Sequence, residues 1–95
     1  MNKQAKQFLV DIVNSLSPSG YEQATQKMYK KYMKDVADEV RTDSHGNVIA
    51  VLNPGGSPRV MLAGHCDELG FQINHVDDDG FLYFLPLGGH DQGIV

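Results

Sequence analysis

Apolar residues recur along the first part of the chain with the period of a helix. Ala5, Phe8, Leu9, Ile12, Val13 and Leu16 fall at i, i+3 and i+4 spacing, so the pattern predicts an amphipathic helix from Ala5 to Leu16. Ser17-Pro18 ends it, because proline disfavours helical geometry in the residue before it. A second helix follows, with Ser19 predicted to cap its free N–H groups and Glu22, three residues on, to complete a capping box. Its apolar stripe is Ala24, Met28, Tyr32 and Val36, and Lys27, Lys30, Lys31 and Lys34 fill a solvated outer face.

Near Ala37 the helical period stops and strand patterns begin. Val40 and Thr42 lead into Asp43-Ser44-His45-Gly46-Asn47, a turn composition in which glycine and asparagine tolerate positive φ. Val48 to Leu52 is a nearly all-apolar strand, and Asn53 to Pro58 a loop. Its two glycines, with no helix and lysine after them, are turn chemistry and no phosphate cradle. Arg59 to Gly64 is a further apolar run, of the kind expected for a strand buried on both faces. Leu69 to Val76 and Phe81 to Leu85 predict a hairpin around Asp77-Asp78-Asp79-Gly80. The order is therefore α-α-β-β-β-β-β. Two helices cover only part of a sheet with a two-sided strand, and Ile94-Val95 reads as the start of an element without a partner. The pattern suggests a piece of a larger protein, with a compact α+β domain as the other reading.

Composition narrows the classes. Ninety-five residues allow one modest domain, expected to bury about 60–65% of the unfolded chain's surface. Hydrophobic residues at 41% and charged residues at 21% are ordinary for a globular chain and argue against disorder. No apolar run approaches the roughly 20 residues of a membrane-spanning helix, and the polar start, Met1 to Lys6, carries no signal core. The single cysteine, Cys66, excludes an internal disulfide; a reducing, cytoplasmic setting is the expectation. The net charge of −4 argues against a nucleic-acid surface. All but one of the basic residues lie in the first 41 positions, and the acidic second half fits either cation binding or a solvated surface.

Chemistry concentrates in Gly64-His65-Cys66-Asp67-Glu68-Leu69-Gly70. His65 falls just past the predicted strand, where ligand sites form in open sheets. With a strand period of two, His65 and Asp67 point to one side and Cys66 to the other. A neutral imidazole is a good zinc or cobalt ligand, and a carboxylate two residues on can fix its orientation or tautomer. Glu68 adds negative charge beside a cation. The alternative is a polar strand terminus with no ligand. Cys66 has no general base on its face, which speaks for a packed or partly exposed thiol over a nucleophile. His45, His75, His90 and Asp91 are expected in solvated turns, loops or the hairpin flank. The aspartate run lacks the alternating ligand spacing and distant glutamate of a calcium loop.

The segments Leu16-Ser17-Pro18-Ser19-Gly20-Tyr21-Glu22, then Asp43 with Gly46-Asn47, then Leu62 to Gly70, resemble the glutamyl and deblocking aminopeptidases. These are the tetrahedral-aminopeptidase relatives, some of which carry cellulase or endoglucanase names. The similarity runs through the whole chain in order, and the combination is far more specific than its parts. The resemblance implies an α/β fold, the N-terminal portion of a helix-layered mixed-sheet metallopeptidase domain. Residues 1–86 would belong to the catalytic domain. Residues 87–95, with Gly88-Gly89-His90-Asp91, would begin the connection to an inserted β dimerisation domain.

By the same resemblance, His65 matches the family's first metal-binding histidine. Asp67 matches the carboxylate that supports the catalytic metal centre from behind, while Glu68 does not match the general base. That base, the bridging carboxylate and the other ligands would lie beyond Val95. Cys66 and Leu69 stand where methionine and isoleucine are frequent, which leaves the metal site intact. The implied protein is a metal-dependent aminopeptidase with two divalent ions, zinc or cobalt, acting on short peptides. It would be a homo-oligomer at full length, with neither nucleic acid nor membrane as partner, and the 95-residue chain alone would be inactive. The competing class is a small α+β binding module in which His65-x-Asp67 is structural. A two-carboxylate glycosidase is disfavoured, since a histidine beside the key acid serves a metal better than a sugar mechanism.

Overall fold

The computed structural model describes residues 1–91 and Gly93. Helix α1 spans Lys3–Val13 and opens with an unforeseen cap: the Asn2 side chain accepts the Ala5 N–H at 2.7 Å. It closes a turn earlier than the apolar period predicts. The Asn14 amide donates to the Val10 carbonyl at 2.7 Å and the Ser15 hydroxyl to the Ile12 carbonyl at 2.8 Å. These side chains satisfy the end of the helix, and Leu16 is left outside it and exposed. Helix α2 spans Gln23–Met33. The predicted capping box does not form, because the Ser19 hydroxyl is engaged with Asp67 and Glu22 accepts the Gly20 N–H.

The two helices meet through aromatic and polar contacts. Phe8 stacks on Tyr32 with ring centroids 4.0 Å apart, and Tyr29 lies 6.5 Å from Phe8 at a tilt. Beside them the Ser15 and Thr25 hydroxyls are bonded, and Thr25 is almost wholly buried.

The strands form two antiparallel pairs. β1 (Glu39–Thr42) pairs with β2 (Val48–Val51), Glu39 opposite Val51 and Thr42 opposite Val48, and α2 packs against β2. β3 (Gly70–Val76) pairs with β4 (Leu82–Leu87), with a register shift between Ile73 and His75. The predicted hairpin is present, with each strand starting one residue later than expected and the second running two residues further, to Leu87. Asp77 organises its turn: Oδ1 accepts the Asp79 and Phe81 N–H groups, and Gly80 takes φ +88°.

The strand predicted at Arg59 to Gly64 is absent. These residues make no ladder, and Val60, Met61 and Leu62 are 79%, 86% and 95% exposed. An extended apolar run becomes a strand only beside a neighbour that completes its backbone hydrogen bonds. No described segment lies there to do so. The α/β class stands: the described strands form two separate antiparallel pairs, and one parallel bridge, Pro18 to Glu68, ties the loop between the helices to the segment before β3.

The burial expectation also fails. The chain exposes 8153 Å², against about 5,400 Å² for a compact protein of its mass. It therefore buries roughly 45% of its unfolded surface, and no hydrophobic side chain among the described residues is fully buried. The expected element at Ile94-Val95 lies outside the described residues, as does part of the connection assigned to residues 87–95.

Candidate functional site

The site is built from two chain segments held against each other. Residues 66–68 run alongside the loop between the helices. The Ser17 N–H donates to Glu68 Oε1 at 3.0 Å, and the Ser17 hydroxyl donates to the Cys66 carbonyl at 2.7 Å. The Glu68 N–H donates to the Ser17 carbonyl at 2.8 Å, and the Ser19 N–H to the Glu68 carbonyl at 3.2 Å. Ser17 is nearly fully buried by this arrangement. Pro18 supports the same contact: a Cβ on Gly70 would come 3.2 Å from the Pro18 Cβ, so this face of the strand start favours glycine.

On that platform His65 and Asp67 turn to the same side, as the two-residue period predicts. His65 Nδ1 lies 2.8 Å from Asp67 Oδ1. A carboxylate only accepts, so Nδ1 carries the proton and donates it. In the neutral ring the lone pair is then on Nε2, which has no protein partner among the described residues and belongs to an exposed side chain. The Ser19 hydroxyl donates to Asp67 Oδ2 at 2.6 Å. That hydrogen bond, and after it the one from His65, holds the Asp67 carboxyl below the ordinary value of 3.8. Asp67 is therefore anionic at neutral pH.

The structure does not gather other candidates around this pair. Glu68, predicted to add charge beside a cation, is turned onto the Ser17 N–H. Cys66 carries an exposed thiol. His45 sits in the β1–β2 turn, and His75 lies against Tyr83. His90 corrects the expectation of a solvated residue. It is half-buried, stacks on Phe71 at 4.5 Å, and its Nε2–H reaches the Gly70 and Leu87 carbonyls at 3.0 and 3.1 Å. Asp91 accepts the Gly93 N–H. Among the described residues, no three His, Cys, Asp or Glu side chains come together as a metal site. Two surface concavities lie along the lysine face of α2 and between the helices, and neither is lined by His65 or Asp67.

The donor chemistry fits one metal ligand. An imidazole oriented by a carboxylate at Nδ1, with Nε2 presented outward, is how a metal-binding histidine is held. Sequence reasoning missed the two serines. Ser17 and Ser19 are two positions apart while the residues their hydroxyls bond, Cys66 and Asp67, are adjacent, and those partners lie about 50 positions away.

Similarity to known proteins covers this same frame. Residues 46–95 match the family model of the M42 glutamyl aminopeptidases. The lysyl aminopeptidase of Pyrococcus furiosus is 43% identical over 84 residues, 87% of this chain and 24% of that protein. The crystal structure of a TET aminopeptidase from a marine-sediment Thaumarchaeota archaeon superposes with a TM-score of 0.85 at 32% identity. The match covers 97% of this chain and 26% of the other. An aminopeptidase of Desulfurococcus kamchatkensis superposes with a TM-score of 0.75 at 34% identity, over 92% of this chain and 25% of its own. The chain thus spans about a quarter of the length of the relatives it matches. No helix of the described residues is long and apolar enough to cross a membrane. The open arrangement of helices and hairpins is shared with that quarter of a TET aminopeptidase, and the family match takes in the His65–Asp67 segment, so the chain belongs to the M42 glutamyl aminopeptidase family.

Proposed function

We propose that this chain supplies the first metal-ligating segment of a metal-dependent aminopeptidase, which removes N-terminal residues from short peptides. The observation that carries the reading is the His65–Asp67 pair, with Nδ1 bonded to the carboxylate at 2.8 Å and Nε2 facing outward. His65 would hold one divalent ion, zinc or cobalt, through Nε2. Asp67 would keep the ring in that tautomer and in place. Such ions, when bound, activate water and polarise the scissile carbonyl.

A catalytic ion commonly needs three protein ligands, and a base must take the proton from water. His65 is one ligand, so the activity is assigned to a longer protein containing this chain. The same proposal makes that protein a homo-oligomer of the reducing cytoplasm, with an inserted β domain reached through the connection that starts at residues 87–95. The 95 residues alone are expected to be inactive.

The test is N-terminal residue release from short peptides by the longest natural protein that contains this sequence, before and after chelation and metal return. His65→Ala should lower metal-restored activity by at least about a hundredfold, the upper range for merely supporting groups. Full activity in that variant, or hydrolysis indifferent to chelation, would refute the assignment and leave the binding-module reading.

A further inference from the structure

We propose that Ser19 is a positioning residue for the metal-ligating histidine, acting through Asp67. The inference rests on the metal-centre reading above and goes beyond it by assigning a role to a residue of the loop between α1 and α2. Asp67 has two oxygens with different tasks. Oδ1 receives the His65 Nδ1–H at 2.8 Å, and Oδ2 receives the Ser19 hydroxyl at 2.6 Å. The terminal torsion of an aspartate is broad, so a single hydrogen bond to an exposed imidazole would leave the carboxylate free to swing. With its far oxygen tied, the carboxylate plane is set, and with it the direction of the His65 ring.

Ser19 is able to do this because it is itself fixed. Its N–H donates to the Glu68 carbonyl at 3.2 Å. The Tyr21 N–H closes onto the Pro18 carbonyl at 2.8 Å across Gly20, whose φ of +90° suits glycine. Glu22 accepts the Gly20 N–H, so the turn is closed without the Ser19 side chain. The hydroxyl that would have capped α2 is therefore free for Asp67. Ser17, two residues earlier, differs in kind: its hydroxyl donates to the Cys66 backbone carbonyl and not to the Asp67 carboxylate.

The experiment is zinc affinity and stoichiometry, by competition with a chelator, on the full-length protein containing this chain. Ser19→Ala should weaken zinc binding about tenfold, the lower range for a group supporting a ligand from behind. Ser19→Thr, which keeps the hydroxyl, should restore it to within a few-fold of wild type. Thr25→Ala, which removes a buried hydroxyl that bonds Ser15 and no group of the His65–Asp67 pair, should lower thermal stability with less than about a twofold change in zinc affinity. Equal losses of zinc affinity in the Thr25 and Ser19 variants, or no rescue by threonine, would mean a structural role and overturn the proposal. If Ser19→Ala changes nothing while His65→Ala weakens binding, the proposal falls and the metal centre stands. If His65→Ala also leaves binding unchanged, the metal-centre reading falls and takes the proposal with it. Should Ser19→Ala not fold, Ser19→Val, isosteric with the threonine variant but lacking the hydroxyl, is measured instead. Weaker zinc binding than in Ser19→Thr supports the proposal, and equal binding refutes it.

Discussion

Asp43 organises the β1–β2 turn by its side chain alone. Its Oδ1 accepts the His45 and Asn47 N–H groups at 2.9 Å each, and its Oδ2 accepts the Asn47 side-chain amide at 2.8 Å. The Asn47 amide first, and then the two backbone donors, hold the carboxyl below its ordinary value of 3.8. A carboxyl whose folded value is lowered stabilises the turn above the ordinary value, and the contribution is lost as pH falls through the lowered one. The Asn47 side-chain resonances should therefore titrate with a midpoint below the ordinary 3.8. A midpoint at or above 3.8 in an NMR titration would show that these bonds do not favour the charged form. This turn was legible because every partner lies within four residues. Ser19 was not. Local spacing offered a helix cap, and a carboxylate 48 positions away took the hydroxyl instead. Sequence distance hides that competition, whereas His65 and Asp67 lie two residues apart and their contact is local.

Among the elements, those carrying their own partners were legible. The β3–β4 hairpin has both strands and its turn within eighteen residues, and it formed as expected. Helix α1 was legible in type but not in length, since the apolar period continues to Leu16 while Asn14 and Ser15 terminate the backbone first. The run at residues 59–64 was misread because an apolar pattern reports that burial is wanted and says nothing of what supplies it. The helix pair gives a sharper test. Phe8 stacks on Tyr32 and reaches Tyr29, so one α1 ring carries the aromatic contact with α2. It is half-buried, so truncation should cost less than the roughly 3–5 kcal/mol of a core phenylalanine. Phe8→Ala is expected to destabilise the helix pair by about 1–2 kcal/mol, the lost stack plus part of the ring's burial. The measurement is a denaturation curve followed by far-UV circular dichroism. An unchanged midpoint would mean that the two helices are held by the Ser15–Thr25 contact and not by the rings.

At the scale of the whole molecule, the dominant fact is apolar surface left in water. The Cα radius of gyration is 17.7 Å, against about 12 Å for a compact domain of this length. The longest axis reaches 60 Å. Val60, Met61, Leu62, Phe81 and Leu85 are all well exposed, although a monomer seldom shows an extended apolar patch unless something packs on it. The shape is shared over 97% of the chain with a TET aminopeptidase four times as long, so openness belongs to this part of the fold. Produced alone, the 95 residues should bind a hydrophobic dye such as ANS and scatter with a radius at or above 17.7 Å. Lysine at both Val60 and Leu62 should reduce dye binding while leaving the far-UV spectrum unchanged, because neither residue lies in a helix or strand. A dye-silent chain with a radius near about 12 Å would mean that residues 59–64 fold back onto the helices or the hairpin. The missing strand would then have found its partner within the chain, and the platform under His65 would need to be redrawn.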